Sequence, residues 1–99
     1  MPRFAKRKDV NHNQIEDAFR RMLADHVTDS SGWGGGAGDL FVSYKNYGAF
    51  IEIKADEKKE LTAAQVRFKA LHPGCWWKVT SVEGAIELAQ HIRKVGGSL

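Results

Sequence analysis

Two short apolar runs on either side of a turn constrain the fold more than any other feature of the sequence. The first run covers residues 40–42 and the second covers residues 49–53. Between them, residues 45–48 combine lysine, asparagine, tyrosine and glycine. Apolar runs of this length, joined by a short turn-forming segment, predict a β-hairpin.

Three charged residues stand at the ends of these runs. Asp39 opens the first run, and Glu52 and Lys54 close the second. Because side chains alternate along a strand, Glu52 and Lys54 are predicted on one face and Ile51 and Ile53 on the other. Two carboxylates and an ammonium at neighbouring strand ends favour a site for a divalent cation and an activated water. A solvent-facing strand edge with an ordinary Glu–Lys pair explains the spacing equally well.

The remainder of the chain predicts three helices and a further strand. The helices are predicted at residues 11–26, 62–71 and 80–95, and the strand at residues 75–79. Each helix carries apolar residues near helical spacing. They are Ile15, Phe19, Met22 and Leu23 in the first, Val66, Phe68 and Leu71 in the second, and Ile86, Leu88, Ala89, Ile92 and Val95 in the third.

A length of 99 residues fits one domain, predicted at residues 11–95 between a basic arm (1–10) and a tail (96–99). The single cysteine, Cys75, argues against a disulfide framework and a cysteine-rich zinc site. No apolar run reaches the roughly 20 residues that span a bilayer, so no membrane partner is expected. The basic residues 2–8 lack the apolar segment of a signal peptide. The expected compartment is the cytoplasm, that of a bacterial host if the chain is phage-encoded.

The distribution of positive charge is more informative than its amount. Lysine and arginine outnumber the acids by 15 to 12, a net charge of +3 that does not by itself identify a nucleic-acid-binding protein. Basic groups commonly contact phosphate, and for the arm the alternative is a disordered solubilising tail. The two groups are Arg3, Lys6, Arg7 and Lys8 in the arm, and Lys58, Lys59, Arg67 and Lys69 after the hairpin.

The order of the motifs resembles a nuclease superfamily. The motif before the turn is Gly-x-Gly-Asp-Leu-Phe-Val, in which the acid is Asp39. The motif after the turn is Phe-Ile-Glu-Ile-Lys, which contains Glu52 and Lys54. The third motif, Leu-Thr-x-x-Gln, ends at Gln65. This series resembles the PD-(D/E)xK nucleases and, among them, the small stand-alone VRR-Nuc domains, which are akin to Holliday junction resolvases. The resemblance covers residues 14–79. A Glu-x-Lys alone is weak, whereas the four residues in this order and separation are more specific.

The resemblance implies roles for the hairpin residues. Asp39 and Glu52 are the expected metal-binding acids, and Lys54 is the expected active-site lysine. The backbone carbonyl of Ile53 is a candidate third oxygen ligand, since magnesium takes one or two carboxylates plus other oxygens. Lys54 is expected to orient the attacking water or to offset charge developing in the transition state.

Two helical residues complete the predicted site. Gln65 matches the glutamine on the helix behind the catalytic strands, or it serves only a capping box with Thr62. Glu16 lies where many members carry an additional metal-binding or water-binding acid. The alternative for Glu16, which is followed by Asp17, is the solvated face of an amphipathic helix.

The implied fold is restriction-endonuclease-like, an α/β fold with a mixed sheet flanked by helices in a minimal αββαβα order. Two features depart from the family pattern. Gly38 stands where a proline often precedes the acid. The family core usually has one more strand before the acid-bearing strand, and only His26-Val27-Thr28 offers material for it.

A glycine-rich segment at residues 28–38 predicts a loop. It lacks the Gly-Lys-Ser/Thr ending of a phosphate-binding P-loop and leads into a strand, so a P-loop is rejected. Two roles stay open for its tryptophan, Trp33: stacking on an unpaired base, or anchoring the loop in the core.

The sequence thus predicts a magnesium-dependent DNA endonuclease, with manganese as a substitute metal. The expected substrate is branched or Holliday-junction DNA, and the expected assembly is a homodimer whose two sites face symmetry-related strands. The alternative is a nucleic-acid-binding module without catalysis. The pair of acids with a lysine favours the enzyme, because pure phosphate binding has no use for carboxylates.

Overall fold

The computed structural model describes residues 10–97, which form a four-stranded mixed sheet with three α-helices. The sheet order is β1-β2-β3-β4; the first two pairings are antiparallel and the last is parallel. The predicted mixed α/β class is confirmed. The elements are α1 (Val10–Leu23), a 3-10 turn (Ala24–His26), β1 (Val27–Asp29), β2 (Leu40–Tyr44), β3 (Tyr47–Ile53), α2 (Ala63–Leu71), β4 (Trp76–Val79) and α3 (Val82–Gly96).

The first strand corrects the predicted αββαβα order to αβββαβα. Strand β1 pairs with β2 through Val27↔Val42 to Asp29↔Leu40, so Thr28 and Asp29 belong to the sheet and not to the glycine-rich loop. Val27 is buried, whereas Thr28 and Asp29 are exposed. A strand of three residues with one buried side chain carries no readable alternation.

The hairpin forms as predicted, with a shorter turn. Strands β2 and β3 pair from Leu40↔Ile51 to Tyr44↔Tyr47, which leaves only Lys45 and Asn46 between them. Lys45 has a φ of 55°, the left-handed conformation that tight hairpin turns require. Tyr47 and the following glycine, predicted in the turn, belong to β3.

Helices α1 and α3 share the core on one face of the sheet. The inward residues of the hairpin alternate as predicted, and the buried faces of both helices pack against them. Ile86 was predicted in this core but is 37% exposed, and Ala85 is buried in its place. The core consists of Ile15, Ala18, Phe19, Leu23, Val27, Leu40, Val42, Ala49, Ile51, Ile53, Val79, Ala85, Leu88, Ala89 and Ile92.

Helix α2 lies on the opposite face, where it contacts the sheet mainly through one aromatic side chain. The Phe68 ring packs edge-to-face on Phe50, with ring centroids 4.8 Å apart. Val66 and Leu71, the other two apolar residues at helical spacing on this helix, are 55% and 69% exposed and do not join the core. None of the nine residues of α2 is fully buried.

The helix ends follow the predicted caps. Thr62 and Gln65 form a full capping box at α2, and the Ser81 side chain caps α3. Helix α1 already includes Val10, and α3 extends through Gly96. In the described part of the chain, no helix is both long and apolar enough to cross a membrane. The arm residues Arg3, Lys6, Arg7 and Lys8 lie outside the described range.

Candidate active site

Three of the four predicted active-site residues line one small polar pocket. Asp39 comes immediately before β2, Glu52 is near the end of β3, and Gln65 is in the first turn of α2. The pocket has a volume of about 160 Å³. Its remaining wall comes from the glycine-rich loop through Ser31, Gly34, Gly36, Ala37 and Gly38.

Backbone contacts with β3 fix the position of Asp39. Its N–H donates to the Ile51 carbonyl at 2.8 Å, and its Oδ2 accepts the Ile53 N–H at 2.8 Å. Gly38 has a φ of 104°, and a Cβ there would lie 2.7 Å from the Ile51 oxygen. Proline cannot adopt this conformation because its ring fixes φ near −65°. The glycine at position 38 is therefore dictated by how the chain enters β2.

Glu52 is a buried carboxylate that lies beside the ammonium of Lys54 and the side-chain amide of Gln65. It is 8% exposed, and Lys54 Nζ lies 3.1 Å from its Oε2. Desolvation raises the pKa of Glu52, and the nearby Asp39 charge raises it further, while Lys54 and a hydrogen bond from Gln65 lower it. The net upward direction means that Lys54 and Gln65 do not fully offset burial and the Asp39 charge, both of which disfavour the ionised carboxylate.

Gln65 forms the predicted capping box and also lines the acid pocket. Its Oε1 accepts the Thr62 N–H at 2.9 Å, which closes the capping box. Its side chain also faces Glu52 across the pocket, where the interaction lowers the pKa of that carboxyl. Since the amide oxygen is used by the cap, the amide nitrogen is the group that remains to donate to the carboxylate. The cap thus orients Gln65 toward the acid.

Glu16 is not grouped with the two pocket acids. Its Oε2 accepts from Arg20 Nε at 3.0 Å, and its Oε1 lies 3.7 Å from His12 Nε2. Arg20 also donates to the Val27 carbonyl, so the pair ties α1 to β1. Within residues 10–97, no three histidine, cysteine or acidic side chains are placed to hold a metal ion together.

The donor set of the pocket nevertheless fits magnesium. Asp39 and Glu52 provide hard carboxylate oxygens, and magnesium is usually held by one or two carboxylates with waters and substrate phosphate. The raised pKa of Glu52 shows that added positive charge at this position is favourable. Ile53, whose carbonyl is the predicted third ligand, donates its N–H to the Asp39 carboxylate.

Sequence reasoning missed the residues that close the glycine-rich loop over the pocket. Ser30 is fully buried; its Oγ donates to the Gly38 carbonyl and its N–H to the Asp39 carbonyl, both at 3.0 Å. Trp76 Nε1 donates to the Gly36 carbonyl at 3.0 Å. A Cβ on Gly36 would lie 2.4 Å from the Ala64 oxygen, so the loop backbone packs directly on α2. The sequence signal that could have indicated this closed loop is the run of glycines immediately before Asp39.

The predicted DNA-binding residues of the described range lie on the surface. Lys58 and Lys59 follow β3, and Arg67 is on α2; all three are exposed. Trp33 is 56% exposed in the glycine-rich loop. The structure therefore leaves these side chains accessible without assigning them a ligand.

Comparisons of the chain with protein-family models, with curated proteins and with solved structures found no match. The geometry of the pocket is consequently the basis for a functional conclusion.

Glu52→Gln is expected to stabilise the metal-free protein increasingly as pH rises above about 4.5, the ordinary pKa of this group. Because the pKa is raised in the folded state, the folded protein binds more protons than the unfolded chain between the ordinary and the raised value. The contribution of Glu52 to the free energy of unfolding therefore falls as pH rises through that window. Urea unfolding in chelator at several pH values measures the difference between wild type and variant. Glu87→Gln, at an exposed site on α3, is the control. A Glu52→Gln difference that is independent of pH would contradict the assigned environment.

Proposed function

We propose that this protein is a magnesium-dependent DNA endonuclease of the PD-(D/E)xK type, similar to stand-alone VRR-Nuc domains and with a restriction-endonuclease-like fold. The observation that carries the proposal is the convergence of Asp39 and Glu52 on one pocket, with Lys54 paired to Glu52. The αβββαβα order agrees with the additional strand that the family core usually has.

Each residue has a distinct part in phosphodiester hydrolysis. A bound magnesium ion would polarise the phosphoryl oxygens and lower the pKa of an attacking water. Asp39 and Glu52 would hold that ion, with Gln65 orienting the Glu52 carboxylate. Lys54, already beside Glu52, would place its ammonium near the attacking water or the charge that develops on the phosphate.

The acids argue for an enzyme over a binding module. A phosphate approaching the pocket meets Asp39 and the buried Glu52, so without a cation the site repels the backbone of DNA. A domain that only binds phosphate gains nothing from burying a carboxylate whose pKa is raised. A metal-dependent reaction accounts for that cost.

Branched DNA is the proposed substrate and a two-fold homodimer the proposed assembly. The described residues of one chain provide one pocket that contains both Asp39 and Glu52, whereas resolution of a junction requires cuts on two strands. A two-fold axis places two copies of the pocket on symmetry-related strands. Manganese should replace magnesium, since both accept carboxylate and water ligands.

The deciding experiment combines cleavage with binding. Linear, flap and four-way DNA are incubated with the protein in magnesium, in manganese and in chelator, and cleavage is expected only with metal. Affinity is then titrated in calcium and in chelator at fixed ionic strength, because salt alone changes the affinity for DNA. Calcium should tighten binding, and Asp39→Asn and Glu52→Gln should reduce that gain. No cleavage with either metal, together with equal affinity in calcium and chelator, would favour the binding module.

A further inference from the structure

An aromatic row crosses the sheet face that carries Glu52. Phe41 and Phe50 are opposite each other on β2 and β3, with ring centroids 4.9 Å apart. Phe50 contacts Phe68 of α2, which in turn stacks on His72 at 4.2 Å. Since Phe50 and Glu52 are two residues apart on one strand, the row and the acid share a face.

Trp33 is the exposed end of this row. Its indole lies 5.7 Å from the Phe41 ring and 6.4 Å from the Phe50 ring, centroid to centroid. The backbone N–H of Trp33 donates to the carbonyl of the buried Ser30 at 2.9 Å, which fixes the backbone at this point. With 56% of its surface exposed, Trp33 is supported from one side and open on the other.

The structure does not use Trp33 as the core anchor of the loop. That part is taken by Trp76, which is 3% exposed and hydrogen-bonds the Gly36 carbonyl. A loop already held by Ser30 and Trp76 needs no second anchor. An exposed tryptophan resting on a phenylalanine pair therefore calls for another role.

The position of Trp33 relative to the pocket suggests the ligand. Ser31 and Gly34, two residues before it and one after it, both line the acid pocket. Consecutive Cα atoms are about 3.8 Å apart, so the backbone of Trp33 adjoins the pocket wall. Its indole rests on Phe41 and Phe50, which belong to the two strands that carry the acids. On α2, Arg67 and Lys69 are exposed on either side of Phe68 in the sequence. Aromatic faces combined with cations are the usual means of holding a single strand.

We propose that Trp33 stacks on an unpaired base adjacent to the phosphate bound at Asp39 and Glu52, so that the preferred substrate has a single-stranded segment at the cut. This inference rests on the proposed nuclease function and specifies its substrate. In a continuous duplex both faces of each base are occupied by neighbouring pairs, whereas a flap or fork offers a free face. A flap is therefore preferred over a fully paired four-way junction.

Affinity measurements on a flap and on matched abasic DNA test the stacking. Wild type should bind the flap roughly 5- to 100-fold more tightly than the same flap lacking the unpaired bases next to the junction. Trp33→Ala should lose that difference and should bind a four-way junction as wild type does. Trp33→Phe should keep most of the difference. Ile86→Ala, an exposed apolar site on α3, is the control on the other side of the sheet.

Tryptophan fluorescence gives a second readout. Trp33 is exposed, Trp76 is buried and Trp77 is partly buried, so contact with a base should quench Trp33 most. Flap binding should quench wild type, whereas Trp33→Phe should show little quenching. Equal wild-type affinity for the flap and its abasic form would overturn the proposal, and this result does not require any variant to fold.

The failure of the inference and that of the proposed function are distinguishable. The stacking measurements use binding alone, in calcium and in chelator, and cleavage is scored separately in magnesium. Metal-dependent cleavage without base-dependent affinity overturns the stacking site and leaves the nuclease intact. Base-dependent affinity that Trp33→Ala does not reduce also overturns the site.

Discussion

Asp39→Asn and Glu52→Gln are each expected to lower magnesium-dependent cleavage by roughly a hundredfold or more while leaving the fold intact. Residues that merely support a metal ligand typically cost 10–100-fold when changed, and these two carboxylates are the proposed ligands themselves. Both changes keep the size of the side chain. The Ile53 N–H retains an oxygen acceptor at position 39 in one amide orientation, and Glu52→Gln removes a buried charge.

Single-turnover cleavage of flap DNA at saturating enzyme measures the effect, and circular dichroism with thermal unfolding verifies the fold. Glu87→Gln on the surface of α3 is the matched control and should cleave as wild type does. Glu16→Gln should reduce cleavage less than either pocket variant, because Glu16 is engaged by Arg20 on its own helix. Near wild-type nicking by Asp39→Asn or Glu52→Gln in magnesium would refute the site.

The site was predictable from the sequence where it depends on local patterns. Alternation alone places Ile51 in the core and Glu52 on the opposite face, since successive strand residues point to opposite sides. The capping box needs only Thr62 and Gln65, three residues apart. Once the hairpin is formed, Asp39 and Glu52 are brought together by the Leu40↔Ile51 pairing, which the short turn determines.

Long-range packing accounts for what the sequence did not reveal. The face that α2 turns outward depends on α1 and α3 already occupying the other side of the sheet, so Val66 and Leu71 looked like core residues and are exposed. The bond from Trp76 to Gly36 joins residues 40 positions apart and leaves no local signature. Strand β1 exists because β2 offers a free edge to Val27 and its neighbours, not because its three residues form a strong pattern.

Lys54→Ala is expected to lower the rate of cleavage by about a hundredfold or more while changing DNA affinity by less than about threefold. Groups that act on charge or protons in the transition state typically contribute 10²–10⁴-fold to the rate. Lys54 is largely enclosed, with 16% of its side chain exposed and Nζ 3.1 Å from Glu52, so it is poorly placed for the general phosphate contacts that set affinity. An interaction realised mainly in the transition state appears in turnover and not in binding.

The measurement must separate this effect from weaker metal binding. Lys54 is one of the groups that lower the pKa of Glu52, so its removal leaves the carboxyl easier to protonate and lets protons compete more strongly with the metal ion. Cleavage is therefore followed to saturating magnesium, where only a direct part of Lys54 in the reaction leaves the rate depressed. Lys58→Ala, at an exposed cation after β3, is the contrast and should weaken binding at low salt while leaving the saturated rate unchanged. Recovery of the Lys54→Ala cleavage rate at high magnesium would show that the lysine acts only by keeping Glu52 ionised. A loss of DNA affinity in proportion to the loss of rate would show that the lysine is a phosphate contact.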